Sequence, residues 1–480
     1  MRNISHVPIF AVSTTTTRAA IHVQRISGNG IFSALVPHLK KPKTEEPLST
    51  KRWPPANAQP VLMRSLICDK NHDIIDEVMI SGFCGPHSFT GEDVIEIASH
   101  GNPLILAKIQ TLLRSLGFRD ALAGEFTERA FRNGKMDLTQ AEALHEIITA
   151  RSDLAIRLAH KAASGQIADA AGALRKQLIE CLAYLEAHID FAEDEVGTFD
   201  SHHVVPALQK IALQLESLAQ TFDAATRARD GLRVCFAGKP NAGKSSLFNA
   251  ILKKERAIVT DIPGTTRDIL EEHFLFRNRD FVLLDTAGLR ESNDVVERIG
   301  VERSNQQIKG ADLVCLLVDA SIPKSGHEAK KNMREALQEI HSTRGQHNIL
   351  VVASKTDIAD GNIVEAMCEQ AKTQGSLKAI AASQASLDNV LNEFCNIYDL
   401  LSHTAELEHS TVLISARQRD CARTAAHHLR EAIAAANAGS FPESIASLLM
   451  SGKNGIEEIV GVIAPNDVLE TLFSHFCIGK

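Results

Sequence analysis

The sequence predicts a chain with α/β and all-α parts, in which a parallel α/β unit is inserted into a helical bundle. Residues 1 to about 135 mix strand-like and helical patterns, and the following stretch carries apolar residues at helical spacing. Further along, short apolar runs such as VCLLV and ILVVA alternate with helical stretches, which is typical of a parallel sheet covered on both faces. The last part is helical again. We expect four segments, the second and fourth forming one helical domain: 1–135, 136–228, 229–398 and 399–480.

Local patterns predict several elements inside these segments. AAIHVQRI and EDVIEIAS predict strands, and Thr139 with Glu142 fits a capping box at a helix start. Residues 104–118 predict a helix whose buried face holds Leu104, Ile105, Ile109, Leu112, Leu113 and Leu116. Apolar residues at helical spacing predict four further stretches of helix: from Leu144 to Leu158, Leu174 to Ile189, Leu208 to Phe222, and Val468 to Phe476.

Composition limits the classes of function. The chain has 480 residues, of which 44% are apolar and 23% charged, and its net charge is −8. The protein would therefore bind a nucleic acid through a local basic patch or through a partner, because its net charge gives no broad positive surface. Nine cysteines without a CxxC pair indicate reduced thiols, hence a cytoplasmic protein. The apolar runs are too short to cross a membrane, and we expect no membrane association.

A phosphate-binding loop is predicted by GKPNAGKS, residues 238–245, which fits the pattern GxxxxGK[ST]. It follows the strand-like RVCFA and opens a predicted helix, the context that the pattern requires. The glycines let backbone N–H groups approach phosphate oxygens at the positive end of the helix. Lys244 is expected to reach the β- and γ-phosphates, and Ser245 to hold Mg²⁺.

Three more elements follow in the order expected of a GTP-binding domain. PGTTRD places Thr266 on the same Mg²⁺; LLDTAG places Asp285 on it through water and the Gly288 N–H at the γ-phosphate. VVASKTD places Asp357 on the guanine N–H groups and Lys355 along the base. The predicted nucleotide-binding residues are Asn241, Ala242, Gly243, Lys244, Ser245, Ser246, Thr260, Asp261, Ile262, Pro263, Gly264, Thr265, Thr266, Asp285, Thr286, Ala287, Gly288, Ser354, Lys355 and Asp357.

Three positions depart from the usual pattern. Ser354 stands where the base-reading loop usually begins with asparagine, and its shorter hydroxyl predicts a looser loop. The next base loop has Ala381 and Ala382 in place of Ser-Ala, which predicts a modest affinity. Leu289 occupies the position where Ras-like enzymes place a water-orienting glutamine, so hydrolysis needs another group.

Longer segments resemble one family. PNAGKSSLFNAI, IVTDIPGTTRD, DTAGLRESNDVVERIG and the terminal FCIGK together resemble the MnmE (TrmE) family of tRNA-modification GTPases. SFTGEDVIEI, GEFTERAFRNGKMDLTQAEAL and YLEAHIDFAEDEV resemble the family's N-terminal and helical segments. The resemblance covers nearly the whole chain. It implies an N-terminal α+β domain that binds folate and forms a homodimer, a discontinuous helical-bundle domain, and an inserted Ras-like P-loop G domain.

The resemblance also implies an activity and its partners. With a flavoprotein partner, MnmG (GidA), the family installs an aminomethyl-type group at C5 of the wobble uridine (U34) of certain tRNAs. The one-carbon unit comes from a tetrahydrofolate of the 5-formyl or methylene type, and K⁺-dependent pairing of two G domains activates GTP hydrolysis. Two alternatives are a GTP-dependent switch in RNA or ribosome assembly without modification chemistry, and a degenerate family member that binds nucleotide.

Site residues follow from the resemblance, position by position. K⁺ ligands are implied at Asn241, Thr260, Ile262 and Thr265. Glu297 is implied to orient the attacking water, although by itself it would read as an ordinary helix charge. The implied folate-binding residues are Arg25, Glu96, Lys135 and Lys480, with Cys477 beside them as a candidate one-carbon site. We do not expect Cys477 to carry a prenyl group, because Gly479 and Lys480 break that motif.

Overall fold

A computed structural model describes residues 7–48, 60–191, 193–254, 271–284, 306–344, 348–383, 386–402, 407, 409–463, 465–476 and 478–479. The chain forms two compact units. The first contains Met1–His145, Ala162–Glu216 and Arg417–Lys480, and the second contains Glu146–Lys161 and Ser217–Ala416. The predicted fold class is confirmed: an α+β N-terminal part, a helical part and an inserted P-loop α/β part are present.

Thirteen strands and fifteen main helices occur in the described residues. The strands are β1 (Ile9–Val12), β2 (Ile21–Ser27), β3 (Leu39–Lys40), β4 (Val61–Cys68), β5 (Ile74–Phe83), β6 (Val94–His100), β7 (Arg119–Asp120), β8 (Leu232–Ala237), β9 (Glu271–Phe276), β10 (Arg279–Leu284), β11 (Leu313–Asp319), β12 (Ile349–Ser354) and β13 (Lys378–Ala381). The helices are α1 (Ile31–Leu35), α2 (Pro103–Ser115), α3 (Glu125–Arg132), α4 (Leu138–Thr149), α5 (Asp153–Ala163), α6 (Gln166–Asp190), α7 (Glu193–Val196), α8 (Ser201–Asp230), α9 (Lys244–Lys254), α10 (Gly326–Arg344), α11 (Gly361–Thr373), α12 (Leu387–Ser402), α13 (Ala416–Asn437), α14 (Pro442–Val460) and α15 (Asn466–Ser474).

The first unit is built on a seven-stranded sheet in the order β3-β4-β5-β6-β2-β1-β7. Its pairs are antiparallel, except that β1 and β7 run parallel. Apolar residues of the central strands, such as Ile26, Ile80 and Ile97, are buried with Ile109 and Leu113 of α2 in one core. This sheet holds two of the predicted folate-binding residues on adjacent strands.

The prediction that Leu104 lies on the buried face of α2 is wrong. Leu104 is 74% exposed, whereas Leu106 is buried beside Ile109, Leu112 and Leu113. Leu104 lies in the first turn, directly after the helix cap, where the Asn102 side chain accepts from its backbone N–H at 2.8 Å. The turn is held by this cap instead of by burial.

The predicted capping box of Thr139 and Glu142 is also wrong, because the helix begins two residues earlier. The Asp137 carboxylate accepts from the Gln140 N–H at 2.9 Å, and the Gln140 side chain accepts from the Asp137 N–H at 3.0 Å. Aspartate and glutamine at this spacing form the reciprocal cap. Glu142 instead binds Arg417 of α13.

The helix predicted over Leu144 to Leu158 is divided in two. α4 ends at Thr149 and α5 begins at Asp153. The Ser152 hydroxyl accepts from the Ala155 N–H at 3.2 Å, so a new helix start is capped within the predicted span.

Helices from before and after the insertion pack together in the first unit. α6 lies along α14, and Arg175 of α6 contacts Glu457 of α14 at 2.6 Å. Lys453 donates to the same carboxylate at 3.0 Å. These contacts agree with the expected pairing of the second and fourth segments; the domain boundaries remain predictions.

The second unit is built on a six-stranded sheet in the order β13-β12-β11-β8-β10-β9. All neighbours are parallel except the β9–β10 hairpin. Alternate residues of the strands enter two separate apolar cores, one on each face; Cys315 lies in one core and Val314 in the other. The predicted parallel sheet covered on both faces is confirmed. In the described part of the chain, no helix is long and apolar enough to cross a membrane.

Two arginines of α13 give a matched test of stability. Arg417 binds the Glu142 carboxylate through two N–H groups at 2.9 and 2.8 Å, and Glu142 is only 7% exposed. Arg430 binds Glu216 in the same way, but both side chains are about 40% exposed. Arg417→Ala should destabilise the protein by about 3–5 kcal/mol, because it leaves a buried carboxylate without its cation. The variant also loses the bonds from Arg417 to the Glu458 and Ile459 carbonyls of α14. Arg430→Ala should cost far less, because both charges of this exposed pair stay solvated when it is broken.

Thermal unfolding of the two variants beside the wild type provides the measurement. Equal shifts in the unfolding midpoint would show that burial of Glu142 does not make its ion pair more important for stability than an exposed one.

Candidate nucleotide site and chain-end pocket

The phosphate loop joins β8 to α9 in the second unit. Gly238 has φ 132°, and a Cβ there would lie 2.2 Å from the Leu317 carbonyl oxygen of β11. Only glycine fits at this point, because the loop turns directly against the neighbouring strand. Asn241 is exposed and has φ 61°, a left-handed conformation that asparagine tolerates. The backbone therefore forms the curved loop that the motif predicts.

The ammonium group of Lys244 is bonded to the backbone of the phosphate loop. Lys244 is the first residue of α9, and its ammonium donates to the carbonyls of Gly238 at 2.6 Å and Lys239 at 2.9 Å. Burial lowers the pKa of Lys244 below its ordinary value. Ser245 and Ser246 are exposed at the same helix start. A half-buried ammonium beside unpaired helix N–H groups suits a polyanionic ligand.

The base-reading loop is bonded to the phosphate loop. Ser354, the last residue of β12, is 7% exposed, and its hydroxyl donates to the Ala242 carbonyl at 2.7 Å. The short side chain therefore still reaches the phosphate loop, and the looser loop stays a prediction. Asp357 is exposed three residues later, so its carboxylate is accessible to a base.

Lys355 is held by an ion pair. It has φ 58°, and its ammonium lies 2.6 Å from the Asp319 carboxylate at the end of β11. Burial raises the pKa of Asp319, but hydrogen bonds from Lys355 and Ser321 outweigh this effect, so the net pKa is lowered. Asp319 was not predicted from the sequence. Its position at a strand end, in LLVDA, is the signal that could have identified it.

The next base loop follows β13. The Ala382 N–H donates to the Ala353 carbonyl at 2.8 Å, and Ala382 is buried. The phosphate loop, Asp319, Ser354 and Ala382 thus all follow parallel strands at their carboxyl ends. That edge is where open α/β sheets bind ligands.

A second group of predicted residues meets in the first unit. Arg25 on β2 stands opposite Glu96 on β6 in the strand register. Its guanidinium donates to the Glu96 carboxylate at 2.9 Å and lies 5.3 Å from the centre of the Phe89 ring and 5.9 Å from that of Phe126. A second N–H of Arg25 donates to the Gly479 carbonyl at 3.4 Å. We call this set the chain-end pocket.

The chain end is seated on β1. Gly479 is buried and has φ 97°, and a Cβ there would lie 2.5 Å from the Val12 carbonyl oxygen. The Ser13 hydroxyl also donates to the Gly479 carbonyl, at 3.4 Å. Glycine is required at this position by both the close approach and the backbone angle. The glycine of the terminal CIGK is the sequence signal for this contact.

Lys135 lies beside the segment that carries Phe89. Its ammonium donates to the Pro86 carbonyl at 2.9 Å, and its side chain passes close to Gly91. No described contact joins Lys135 to the Arg25–Glu96 pair.

Buried charges fix the helix behind the pocket. Arg129 of α3 is 2% exposed and binds both Glu92, at 2.9 Å, and Glu125, at 3.1 Å. Arg119 also donates to Glu125, at 2.9 Å. Such a network is rigid because each charge is paired inside the fold, and it sets the position of Phe126 between these residues.

Comparisons with known proteins show which family the chain belongs to. The family description "GTP-binding protein TrmE N-terminus" matches residues 8–135, and "MnmE helical domain" matches residues 138–477. The chain is 36% identical to the tRNA modification GTPase MnmE of Aquifex aeolicus over 475 residues, which covers 98% of this chain and 99% of the relative. It is 35% identical to the MnmE of Thermotoga maritima with the same coverage. The chain belongs to the MnmE family.

Similarity to solved structures is weaker. The G domain of the T. maritima FeoB iron transporter is 24% identical and has a TM-score of 0.24; the match covers 35% of this chain and 98% of that one. Membership of the MnmE family rests on the sequence matches alone.

Other predicted residues of this MnmE family member lie outside the described part of the chain. They are Thr260, Asp261, Ile262, Pro263, Gly264, Thr265, Thr266, Asp285, Thr286, Ala287, Gly288, Glu297, Cys477 and Lys480. The described hairpin of β9 and β10 runs from Glu271 to Leu284, between the two segments that follow the phosphate loop. The roles of these residues remain predictions.

Proposed function

We propose that this protein is a GTPase that takes part in tRNA modification, at C5 of the wobble uridine. The observation that carries the proposal is a phosphate loop bonded to a base-reading loop, in a chain that matches relatives named tRNA modification GTPase over 98% of its length. A parallel sheet alone would not distinguish this activity from other uses of the fold.

The nucleotide would bind along the carboxyl edge of the second unit's sheet. Lys244 would turn from its loop carbonyls to the β- and γ-phosphates, and Asp357 would accept from the guanine N–H groups. Ser245 and Thr266 would hold Mg²⁺, with Asp285 contacting it through water. When bound, Mg²⁺ would neutralise part of the negative charge of the phosphates. The exposed Ser245 at a helix start fits such a role.

Hydrolysis needs a group that positions water, since Leu289 cannot do so. We assign this role to Glu297. Asn241, Thr260, Ile262 and Thr265 would hold K⁺, which supplies positive charge near the β/γ bridge in place of an arginine finger. Asn241 fits because its side chain is exposed on the left-handed turn of the phosphate loop.

The chain-end pocket would bind a tetrahydrofolate derivative of the 5-formyl or methylene type. A carboxylate such as Glu96 can pair with the amino and ring N–H groups of a pterin, and Phe89 offers an aromatic face beside it. Lys135 and Lys480 would meet the glutamate tail, with Cys477 beside the pocket. The folate supplies the one-carbon unit. A homodimer, the flavoprotein partner MnmG (GidA) and a cytoplasmic location complete the proposal.

Mass analysis of tRNA nucleosides tests the proposed function. Cells that lack the protein should lose the aminomethyl-type modification at the wobble uridine. Wild-type protein should restore it, whereas Lys244→Ala should not, because its phosphate contacts are lost. Unchanged nucleosides in cells that lack the protein would contradict the proposal and favour a GTP-dependent assembly switch.

Glu297→Ala should lower GTP turnover by roughly 10²–10⁴, the range for a positioned acid–base group. GTP affinity should stay nearly unchanged, because the carboxylate acts on water and not on the nucleotide. Steady-state hydrolysis and nucleotide titration measure the two quantities. Glu291→Ala, in the same segment, is the control. Normal turnover in Glu297→Ala would show that another residue or a partner positions the attacking water.

Potassium should accelerate hydrolysis relative to sodium at equal ionic strength. Asn241→Ala should lose this response and still bind nucleotide, because only the cation ligand is removed. Asn249→Ala, on the exposed side of α9, should keep the response. Equal rates in the two salts for the wild type would rule out the proposed K⁺ site.

Gly479→Ala should weaken folate binding by about 5- to 150-fold, the equivalent of an overpacking cost of roughly 1–3 kcal/mol. The new methyl group would collide with the Val12 carbonyl and displace the chain end from Arg25. Calorimetric titration with 5-formyltetrahydrofolate measures the effect. Gly439→Ala is the control, since Gly439 has φ 73° but open space around a Cβ. Equal folate affinities in the two variants would show that the chain end is not part of the folate site.

A further inference from the structure

Ser354 joins the two loops that would hold opposite ends of the nucleotide. Its hydroxyl lies 2.7 Å from the Ala242 carbonyl in the phosphate loop and 3.4 Å from the Val318 carbonyl at the end of β11. Its own backbone carbonyl accepts from the Ala320 N–H at 3.0 Å. The residue is 7% exposed. One small side chain thus connects the ends of β11 and β12 with the phosphate loop.

The chemistry of a hydroxyl limits what Ser354 can do for a base. A serine hydroxyl has one proton, and both of its described neighbours are carbonyl oxygens that only accept. The proton must therefore point to a carbonyl, and the shorter distance assigns it to Ala242. The remaining lone pairs only accept. Guanine N7 is itself an acceptor, so Ser354 cannot donate to it while the bridge to Ala242 is present.

An asparagine at this position would have two N–H donors on its amide nitrogen. One could bind the Ala242 carbonyl and the other guanine N7. The serine of this chain supports only the first of these bonds. The recognition of guanine then depends chiefly on the exposed Asp357 carboxylate.

We propose that Ser354 is a positioning residue that fixes the phosphate loop against the base-reading loop, and that this protein binds guanine nucleotides without a contact to N7. The inference rests on the proposed function, because it takes the ligand to be GTP. It assigns to Ser354 a bridging role that the sequence did not indicate.

The 7-deaza analogue of GTP, in which carbon replaces N7, tests the missing contact in the wild-type protein. Competition titration against a fluorescent guanine nucleotide gives both affinities. We expect GTP and 7-deaza-GTP to bind within about twofold of each other, since no hydrogen bond is lost. A preference of tenfold or more for GTP would overturn the inference. Failure of both to bind would instead overturn the proposed GTP function.

Two variants test the bridge. Ser354→Asn should prefer GTP over 7-deaza-GTP by roughly 2- to 12-fold, the range that one net hydrogen bond represents. Ser354→Ala should lose affinity for both nucleotides by a similar factor, because the Ala242 carbonyl loses its donor. A change in the ratio of the two affinities cannot arise from lower stability alone.

Ser376→Ala is the matched control. Ser376 also donates its hydroxyl to an alanine carbonyl, that of Ala371 at 2.8 Å, but it precedes β13 at the opposite edge of the sheet. It should bind both nucleotides as the wild type does. Ser354→Ala with unchanged affinities, or Ser354→Asn without discrimination, would contradict the assignment of Ser354 as the bridge.

Discussion

Parallel pairing in the second unit is the constraint on which the nucleotide site depends. β8 pairs with β10 and β11, and β11 pairs with β12, all in parallel. Because parallel strands end at the same edge of the sheet, the loops that follow them lie side by side even when they are far apart in sequence. The phosphate loop at Ala242 and the base loop at Ser354 are 112 residues apart yet share a hydrogen bond of 2.7 Å. Burial of the strands on both faces prevents that edge from shifting.

The chain-end pocket depends on a different constraint, the antiparallel register of the first unit. β2 and β6 pair so that Arg25 faces Glu96 directly, and cross-strand neighbours of opposite charge stabilise such a register. The chain end then approaches β1 at Gly479, where a side chain has no room. Each site thus rests on the geometry of its own sheet, with glycine where the backbone comes closest.

Most of the fold could be predicted from the sequence because its signals are local. Apolar strands such as ILVVAS and the spacing of Leu208 to Phe222 determine an element without knowledge of its neighbours. The phosphate loop could be predicted for the same reason, since its residues are contiguous. The failures are at places where tertiary contacts decide. Leu104 has the right spacing for burial but lies at a helix cap, and Glu142 fits a capping box but binds Arg417 across the unit.

Ser354 shows the same limit in the candidate site. The bond from Ser354 to Ala242 depends on how closely β8 and β12 approach through β11, and no local pattern reports that distance. The partners of Arg25 at Gly479 and Phe89 were likewise missed, because they come from distant segments. Residue types could be assigned to roles from the sequence, whereas the bonds between those residues required the fold.

We propose that the carboxyl edge of the parallel sheet reads guanine through Asp357. The most direct measurement compares the affinities of GTP and xanthosine triphosphate for the wild type and Asp357→Asn. Xanthine carries a carbonyl where guanine carries its amine, so an amide in place of the carboxylate would supply the matching donor. We predict that the wild type prefers GTP and that Asp357→Asn prefers xanthosine triphosphate. An unchanged preference for GTP in the variant would show that Asp357 does not read the base.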